Sequence, residues 1–194
     1  QLGWTYYKIK EYQKALKTFQ RGLRVDSLNK KLIKGVKRSF AQIGHGFYRE
    51  KNYEKAIEYY NALIQTFPND AKNYYYLANT YYKQRNYQKA IQFYKKALKR
   101  KRSDERILKA LKKSYYQIPF SFYKQKEYEK AILQFKKYIK KYPKDHHALR
   151  SLAWSYYRLK KYRKAKFYFQ KALRIKPNDK SAKNGLQGTL KRLK

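Results

Sequence analysis

Apolar and aromatic residues recur along the chain at intervals of three and four positions, the spacing that places side chains on one face of an α-helix. The clearest case is a nine-residue motif in five copies: EYQKALKTF (11–19), NYEKAIEYY (52–60), NYQKAIQFY (86–94), EYEKAILQF (127–135) and KYRKAKFYF (161–169). In each copy a Tyr lies three residues before a central Ala, and an aromatic residue lies four residues after it. The motif predicts five amphipathic helices.

The central alanines set the period of the chain. They are Ala15, Ala56, Ala90, Ala131 and Ala165, so the successive intervals are 41, 34, 41 and 34 residues. A period of this length is typical of stacked helix pairs that bury their apolar faces against their neighbours. We expect units at about 1–29, 37–70, 71–104, 112–145 and 146–179, with a C-terminal capping helix at about 180–194 and seven-residue helix extensions at 30–36 and 105–111.

A first helix is predicted upstream of each motif helix, as in LGWTYY (2–7), LANTYY (77–82) and LAWSYY (152–157). Seven extra residues are close to two helical turns, so each extension lengthens a first helix without rotating its buried face. Both long copies contain helix breakers at equivalent places, Gly44 and Gly46 in one and Pro119 in the other. We therefore predict that these long helices are bent or split there.

The paired pattern resembles the tetratricopeptide repeat family, most closely in YYYLANTYYKQRNYQKAIQFYKKAL (74–98). The resemblance extends over essentially the whole chain and implies an all-α fold, a right-handed α-solenoid of antiparallel helix pairs whose concave groove grips an extended peptide or another protein. Three positions depart from the family pattern: Ser27 and Arg102 stand where Pro is preferred, and Tyr138 where a small residue is preferred.

Composition adds an extreme charge. The 194 residues include 51 Lys and Arg against 12 Asp and Glu, a formal net charge of +39. Such an excess predicts attraction to polyanions and self-repulsion at low salt. The chain has no Cys, which excludes disulfides and thiolate chemistry and leaves the compartment open. It begins inside a helical pattern, so we expect a fragment or mature form of a longer protein, and no segment is apolar enough to span a membrane.

Residues with catalytic or metal-binding chemistry are scarce. The three histidines, His45, His146 and His147, have no acidic cluster beside them, and Asp145 ahead of the last two is interpreted as a helix N-cap. No phosphate-binding glycine loop, nucleophile elbow or zinc-protease motif occurs. The sequence therefore predicts a protein that is not an enzyme and needs no cofactor or metal.

The resemblance places a binding groove along the first helices. The positions eight and seven before each central Ala hold an aromatic and a basic residue in all five copies: Tyr7 and Lys8, Tyr48 and Arg49, Tyr82 and Lys83, Tyr123 and Lys124, Tyr157 and Arg158. The position eleven before it holds Trp4, His45, Asn79, Phe120 and Trp154, and Tyr75, Lys113 and Arg150 complete the candidate set. The alternative is that the tyrosines pack between helices and the cations are only solvated.

Two kinds of partner fit this set. Rings beside cations suit an acidic peptide or protein, which makes the chain a non-catalytic interaction scaffold. They also suit a polyanion, either nucleic acid or an acidic polysaccharide, whose bases or sugars would stack on the rings. A terminal-carboxylate clamp known in the family is matched only in part, by Asn79 and Lys113, because Tyr75 and Phe120 stand at two of its other positions.

Three basic runs, KRKR (99–102), KKYIKK (136–141) and RLKKYRKAK (158–166), fall mostly on second helices. They indicate either a solvated surface or a second anionic contact on the outer face. The chain is also compatible with a place in a larger complex, as an adaptor. Its sequence does not identify the partner.

Overall fold

The computed structural model describes all of residues 1–194 as helices joined by short turns. The eleven helices are α1 (Leu2–Lys8), α2 (Tyr12–Val25), α3 (Lys30–Arg49), α4 (Tyr53–Thr66), α5 (Ala71–Lys83), α6 (Tyr87–Arg100), α7 (Glu105–Lys124), α8 (Tyr128–Lys141), α9 (His146–Arg158), α10 (Tyr162–Ile175) and α11 (Lys180–Lys191). Consecutive helices pack as antiparallel pairs, which confirms the all-α paired architecture. No helix is both long and apolar enough to cross a membrane.

The helices group into two compact units, Gln1–Leu111 and Lys112–Lys194, with the boundary inside α7. In the first unit, α1 pairs with α2, α3 with α4 and α5 with α6, and each pair also contacts the next. In the second unit, α8, α9, α10 and α11 pack in sequence, and α11 lies against both α9 and α10. The repeat limits, the alternating unit lengths and the right-handed winding stay predictions.

The nine-residue motif is explained by the core. Each central Ala is fully buried, and so is the aromatic residue four positions later, with Phe19, Tyr60, Tyr94, Phe135 and Phe169 at most 1% exposed. The Lys before the central Ala places its ammonium group over a ring of the preceding helix in four copies, at 5.2 to 6.0 Å. These contacts are cation–π interactions. The motif recurs because every pair needs the same packing.

The turns between paired helices share one geometry. Lys10, Lys51, Arg85, Lys126 and Lys160 each adopt a left-handed backbone conformation, with φ between 56° and 65°. In every such turn this residue donates its N–H to the carbonyl three residues earlier, and the next residue donates to the carbonyl five residues earlier. This pattern is a Schellman C-cap built without glycine. It reverses the chain tightly and brings two tyrosines together in each pair.

Each turn between helix pairs ends at an N-cap residue. An Asn or Asp precedes α3, α5, α7, α9 and α11, and its side chain accepts hydrogen bonds from backbone N–H groups of the first helical turn. The five residues are Asn29, Asp70, Asp104, Asp145 and Asp179. The assignment of Asp145 as an N-cap is therefore confirmed.

The long helices are not split at Gly44, Gly46 or Pro119, and a bend at these places stays a prediction. Both α3 and α7 are continuous over 20 residues, whereas α5 and α9 have 13 residues each. Gly44 does not break α3 because it is buried against the ring of Tyr60, at the position that Ala78 occupies in α5. Pro119 lies inside α7 and is buried. The helix thus continues through the proline.

Candidate functional site

The candidate residues of the first unit lie on α1, α3 and α5, which are neighbouring first helices. The guanidinium group of Arg38 on α3 lies 5.8 Å from the ring of Trp4 on α1. The rings of His45 on α3 and Tyr76 on α5 approach to 4.4 Å. Trp4 and His45 therefore each contact a neighbouring first helix.

The tyrosines eight positions before the central alanines are half-buried and packed internally. Each makes an edge-to-face contact with the Tyr that opens the following helix, at 5.2 to 5.9 Å between ring centroids. The pairs are Tyr7 with Tyr12, Tyr48 with Tyr53, Tyr82 with Tyr87, Tyr123 with Tyr128, and Tyr157 with Tyr162. Each ring therefore packs against the turn that joins the two helices and stays partly exposed.

The cations one position later have no carboxylate partner within the protein. Lys8, Arg49, Lys83, Lys124 and Arg158 are all exposed, and none of them forms an ion pair within the protein. Only Lys124 has a ring contact, with its ammonium group 5.4 Å from the centre of Phe120. Each first helix thus ends with a half-buried ring beside an unpaired positive charge.

The position eleven before the central Ala is tied to the core in both units. The hydroxyl of Tyr60 lies 2.8 Å from Nδ1 of His45, and the hydroxyl of Tyr94 donates to Oδ1 of Asn79 at 2.5 Å. Trp4 and Trp154 instead pack edge-on against Phe19 and Phe169, at 4.9 and 5.2 Å. These four candidates therefore have a structural role in addition to any contact with a partner.

Burial shifts the pKa values in the first unit. The pKa of His45 is lowered by its burial and by the nearby charge of Arg49, so its imidazole is neutral near pH 7, and its Nδ1 is hydrogen-bonded to the hydroxyl of Tyr60. The pKa values of Tyr48 and Tyr94 are raised, first by burial and then by neighbouring tyrosines that include Tyr75. Tyr48 and Tyr94 thus lie close to Tyr75, in one cluster of tyrosines across α3, α5 and α6.

The second unit carries an aromatic ladder along α7. The rings of Tyr116 and Phe120 stack at 5.6 Å, and those of Phe120 and Tyr123 at 6.2 Å. Trp154 contacts Tyr157 on α9 at 5.3 Å and donates its indole N–H to Ser181 of α11 at 3.3 Å. Lys113 is exposed on α7.

Arg150 is paired within the protein, unlike Lys8, Arg49, Lys83, Lys124 and Arg158. Its guanidinium group donates twice to the carboxylate of Asp179, at 2.7 and 3.0 Å, and Nδ1 of His146 lies 3.2 Å from the same carboxylate. Although burial raises the pKa of Asp179, the hydrogen bonds from Arg150 and from the backbone of Ala182 lower it to about 2. Arg150 therefore stabilises the junction between α9 and α11.

Two ion pairs between neighbouring first helices were not predicted from the sequence motifs. Lys37 pairs with Asp70, and Lys112 with Asp145, each joining a first helix to the N-cap of the next. Both pairs span 33 residues, a spacing that comparison of whole repeats could have shown. The basic runs are also partly engaged, since Arg100 stacks on Tyr74 at 3.8 Å and Lys101 pairs with Asp104 at 3.0 Å.

A cavity of about 750 Å³ in the first unit was also missed. Phe67, Tyr75, Tyr76 and Ile107 supply most of its apolar lining, and the lining also includes five cations and two carboxylates. Tyr75 is the only candidate groove residue among them. No group of three or more His, Cys, Asp or Glu side chains is placed to hold a metal ion.

Comparison with known families gave four matching models, each described as a tetratricopeptide repeat, over residues 1–31, 47–114, 107–145 and 146–179. A comparison with curated proteins gave no match. Among solved structures, a TPR repeats protein from Bacteroides fragilis is 20% identical with a TM-score of 0.61, over 97% of this chain and 95% of that one. This likeness supports the fold.

Two other solved structures are more distant. YrrB, described as a TPR protein with an unusual peptide-binding site, is 16% identical with a TM-score of 0.43, over 95% of this chain and 88% of that one. MamA from Desulfovibrio magneticus is 18% identical with a TM-score of 0.46, over 81% of this chain and 90% of that one.

Proposed function

Because the chain belongs to the tetratricopeptide repeat family, whose members generally act as protein–protein interaction scaffolds, we propose that it holds an extended, acidic segment of a protein partner against its first helices. The observation that carries the proposal is the recurring pair of a half-buried tyrosine and an exposed, unpaired cation at the end of each first helix. The role is non-catalytic, since the family is typically so.

The chemistry of the pair suits an acidic peptide. An Arg or Lys that has no internal carboxylate can form charge-assisted hydrogen bonds with Asp or Glu of a partner. The exposed part of the adjoining ring offers apolar area beside that charge. Because the pair recurs on successive first helices, several weak contacts add up along an extended segment, as in multivalent binding.

Binding of a polyanion is the second candidate, and the net charge of +39 favours it. Polyanion binding predicts a different dependence of affinity on salt concentration. A protein that neutralises phosphates of single-stranded RNA releases counterions, so log K falls with log[salt] at a slope of roughly −0.7 for each phosphate. A scaffold that also uses tyrosine rings loses less affinity as salt is added.

The test uses fluorescence anisotropy with labelled poly(Glu,Tyr), poly(Glu) and single-stranded poly(U), in 50 and 300 mM NaCl. We expect poly(Glu,Tyr) to bind more tightly than poly(Glu) and to keep most of its affinity in the higher salt. The double variant Arg49→Glu and Lys83→Glu should weaken binding of poly(Glu,Tyr) about tenfold or more, because it reverses two contacts on neighbouring first helices.

The matched control is Lys17→Glu with Arg21→Glu, which makes the same change in net charge on exposed positions of α2, a second helix. It should weaken binding much less, since it alters only the long-range field. Equal losses in the two double variants would reject a site on the first helices. Tighter binding of poly(U), with a steep salt slope, would favour the polyanion function.

A further inference from the structure

The alternation of long and short first helices leaves a recess in the first unit, above the start of α5. Lys37, the first residue after the seven extra residues of α3, pairs with the N-cap of α5, Asp70. Residues 30–36 therefore extend beyond the start of α5 by about two turns. On the other side, Arg106 and Ile107 from the first turn of α7 line the same space. The resulting cavity of about 750 Å³ is within the range of ligand sites.

The lining combines an apolar floor with a positive rim. Phe67, Tyr75 and Tyr76 are half-buried, and Ile107 is buried. Lys37, Lys72, Arg100, Lys101 and Arg106 face two carboxylates, those of Asp70 and Asp104, so the lining carries a formal charge of +3. The pKa of Asp104 is lowered to about 2, mainly by its hydrogen bond with Lys101, so its carboxylate is ionised at neutral pH.

The corresponding place in the second unit is bridged by ion pairs. The chain repeats after 75 residues, so that α9 corresponds to α5, and Asp179 to Asp104. On α9, His146 and Arg150 reach across to Asp179 and pair with it. The equivalent positions on α5 hold Ala71 and Tyr75, which cannot form ion pairs. The carboxylate of Asp104 is instead paired with Lys101 and Arg106, close to it in sequence.

We propose that this recess binds an aromatic or large aliphatic side chain of an acidic peptide segment, with a neighbouring carboxylate of the peptide against Lys72 and Arg106. The inference rests on the proposed function and names where such a partner inserts a side chain. The two carboxylates in the lining repel a doubly charged phosphate. A single carboxylate of a peptide carries less charge and can accept hydrogen bonds from the spare donors of the lining cations. The rings supply the apolar contact.

The experiment follows the ¹³C-labelled methyl groups of Ile107 by NMR while Ac-Glu-Glu-Phe-Glu-Glu-NH₂ is added. We expect saturable shifts of the Ile107 signals, and no saturable shift with the peptide that has Ala in place of Phe. Sodium phosphate at the same charge concentration should not reproduce the shifts. Failure of Ile107 to respond to the Phe peptide, or an equal response to phosphate, would overturn the inference.

Two variants copy residues of the second unit into the recess. Ala71→His with Tyr75→Arg should pair with Asp104, close the recess and abolish the Ile107 response. Arg106→Ser, which copies Ser181, should weaken peptide binding about fivefold without altering Tyr75. An unchanged affinity in Arg106→Ser would overturn the inference even if the double variant does not fold.

The experiments distinguish failure of the recess from failure of the proposed function. If poly(Glu,Tyr) binding depends on Arg49 and Lys83 while Ile107 does not respond to the pentapeptide, the scaffold proposal stands and the recess is rejected. If Ile107 responds while poly(Glu,Tyr) binding is insensitive to Arg49 and Lys83, the recess is supported and the binding surface on the first helices is rejected.

Discussion

At the scale of single residues, the residue type at one position of each repeat is correlated with the residue type at another. Where the buried residue four after the central Ala is Tyr, as in Tyr60 and Tyr94, the first helix supplies a polar partner, His45 or Asn79. Where that residue is Phe, the first helix supplies an aromatic ring, such as Trp4. A buried hydroxyl without a partner costs roughly 1–3 kcal/mol, whereas a phenyl ring gains from edge-on aromatic contact.

His45 makes stability depend on pH. Its pKa is lowered in the folded protein, by burial first and by Arg49 second, relative to an ordinary value of 6.5. The unfolded chain therefore binds more protons at His45, and the stabilisation present above pH 6.5 is lost as the pH falls through the folded pKa. We expect His45→Asn, which copies Asn79 and keeps an acceptor for Tyr60, to lose less stability on acidification.

The measurement compares urea midpoints of the wild type and His45→Asn at pH 7.5 and pH 5. His147, whose pKa is also lowered, serves as an internal control because it is present in both proteins. A drop in midpoint that is the same in both proteins would mean that His45 does not contribute to the pH dependence.

At the scale of the helix, α3 shows how packing overrides propensity. Its two glycines, Gly44 and Gly46, suggested a break, yet α3 is continuous. A Cβ at Gly44 would lie 2.7 Å from Cε1 of Tyr60, whereas a Cβ at Gly46 would have no neighbour within 4 Å. Gly44 thus allows two helices to approach closely, and Gly46 has no such role.

The two glycines should therefore respond oppositely to the same substitution. Gly44→Ala overpacks the contact with Tyr60, and we expect it to reduce the free energy of unfolding by about 1–3 kcal/mol. Gly46→Ala removes backbone freedom from the unfolded chain, and we expect it to increase the free energy of unfolding by about 0.5–1 kcal/mol. Chemical denaturation followed by circular dichroism measures both.

Each variant is the control for the other, since they lie two residues apart in one helix and add the same methyl group. If both variants stabilise the protein, the contact between Gly44 and Tyr60 can adjust to the added methyl group at little cost in free energy. If both destabilise it, Gly46 has a packing role that its surroundings do not show.

At the scale of the whole molecule, the carboxylates are concentrated at junctions. Of the 12 acidic residues, Asp70, Asp104, Asp145 and Asp179 cap first helices, and each also pairs with a cation. Most of the 51 Lys and Arg have no acidic partner, so the folded protein keeps a large positive field. This field acts against compaction and attracts acidic partners.

Salt should therefore stabilise the protein. Raising NaCl from 20 to 200 mM shortens the screening length to below about 10 Å and weakens repulsion among the cations. We expect the melting temperature to rise, and to rise less in the Lys17→Glu and Arg21→Glu variant, whose charge is lower by four. Sucrose at equal osmolality controls for solute effects. A melting temperature that falls with NaCl would show that the ion pairs at the N-caps outweigh the repulsion.

The sequence predicted the helices and the caps more successfully than the roles of individual side chains. Asp145 was identified as a cap because capping involves only residues a few positions apart. Arg150 was assigned to the groove, but it is paired with Asp179, 29 residues away. The recess was missed because its lining comes from α3, α5 and α7, from the ends of α4 and α6 and from the turns that precede α5 and α7, and no single repeat contains it.

By itself the sequence determined the paired helices, the cap at Asp145 and the buried face of each motif helix. These features depend on spacings of three and four residues and on short turns, and such local patterns can be recognised from the sequence alone. Only the tertiary structure decided that Gly44 is a contact, that His45 and Asn79 satisfy buried hydroxyls, and that Arg150 is already paired. Each of these depends on a partner at least 15 residues away, and which distant groups meet is set by how the helices pack.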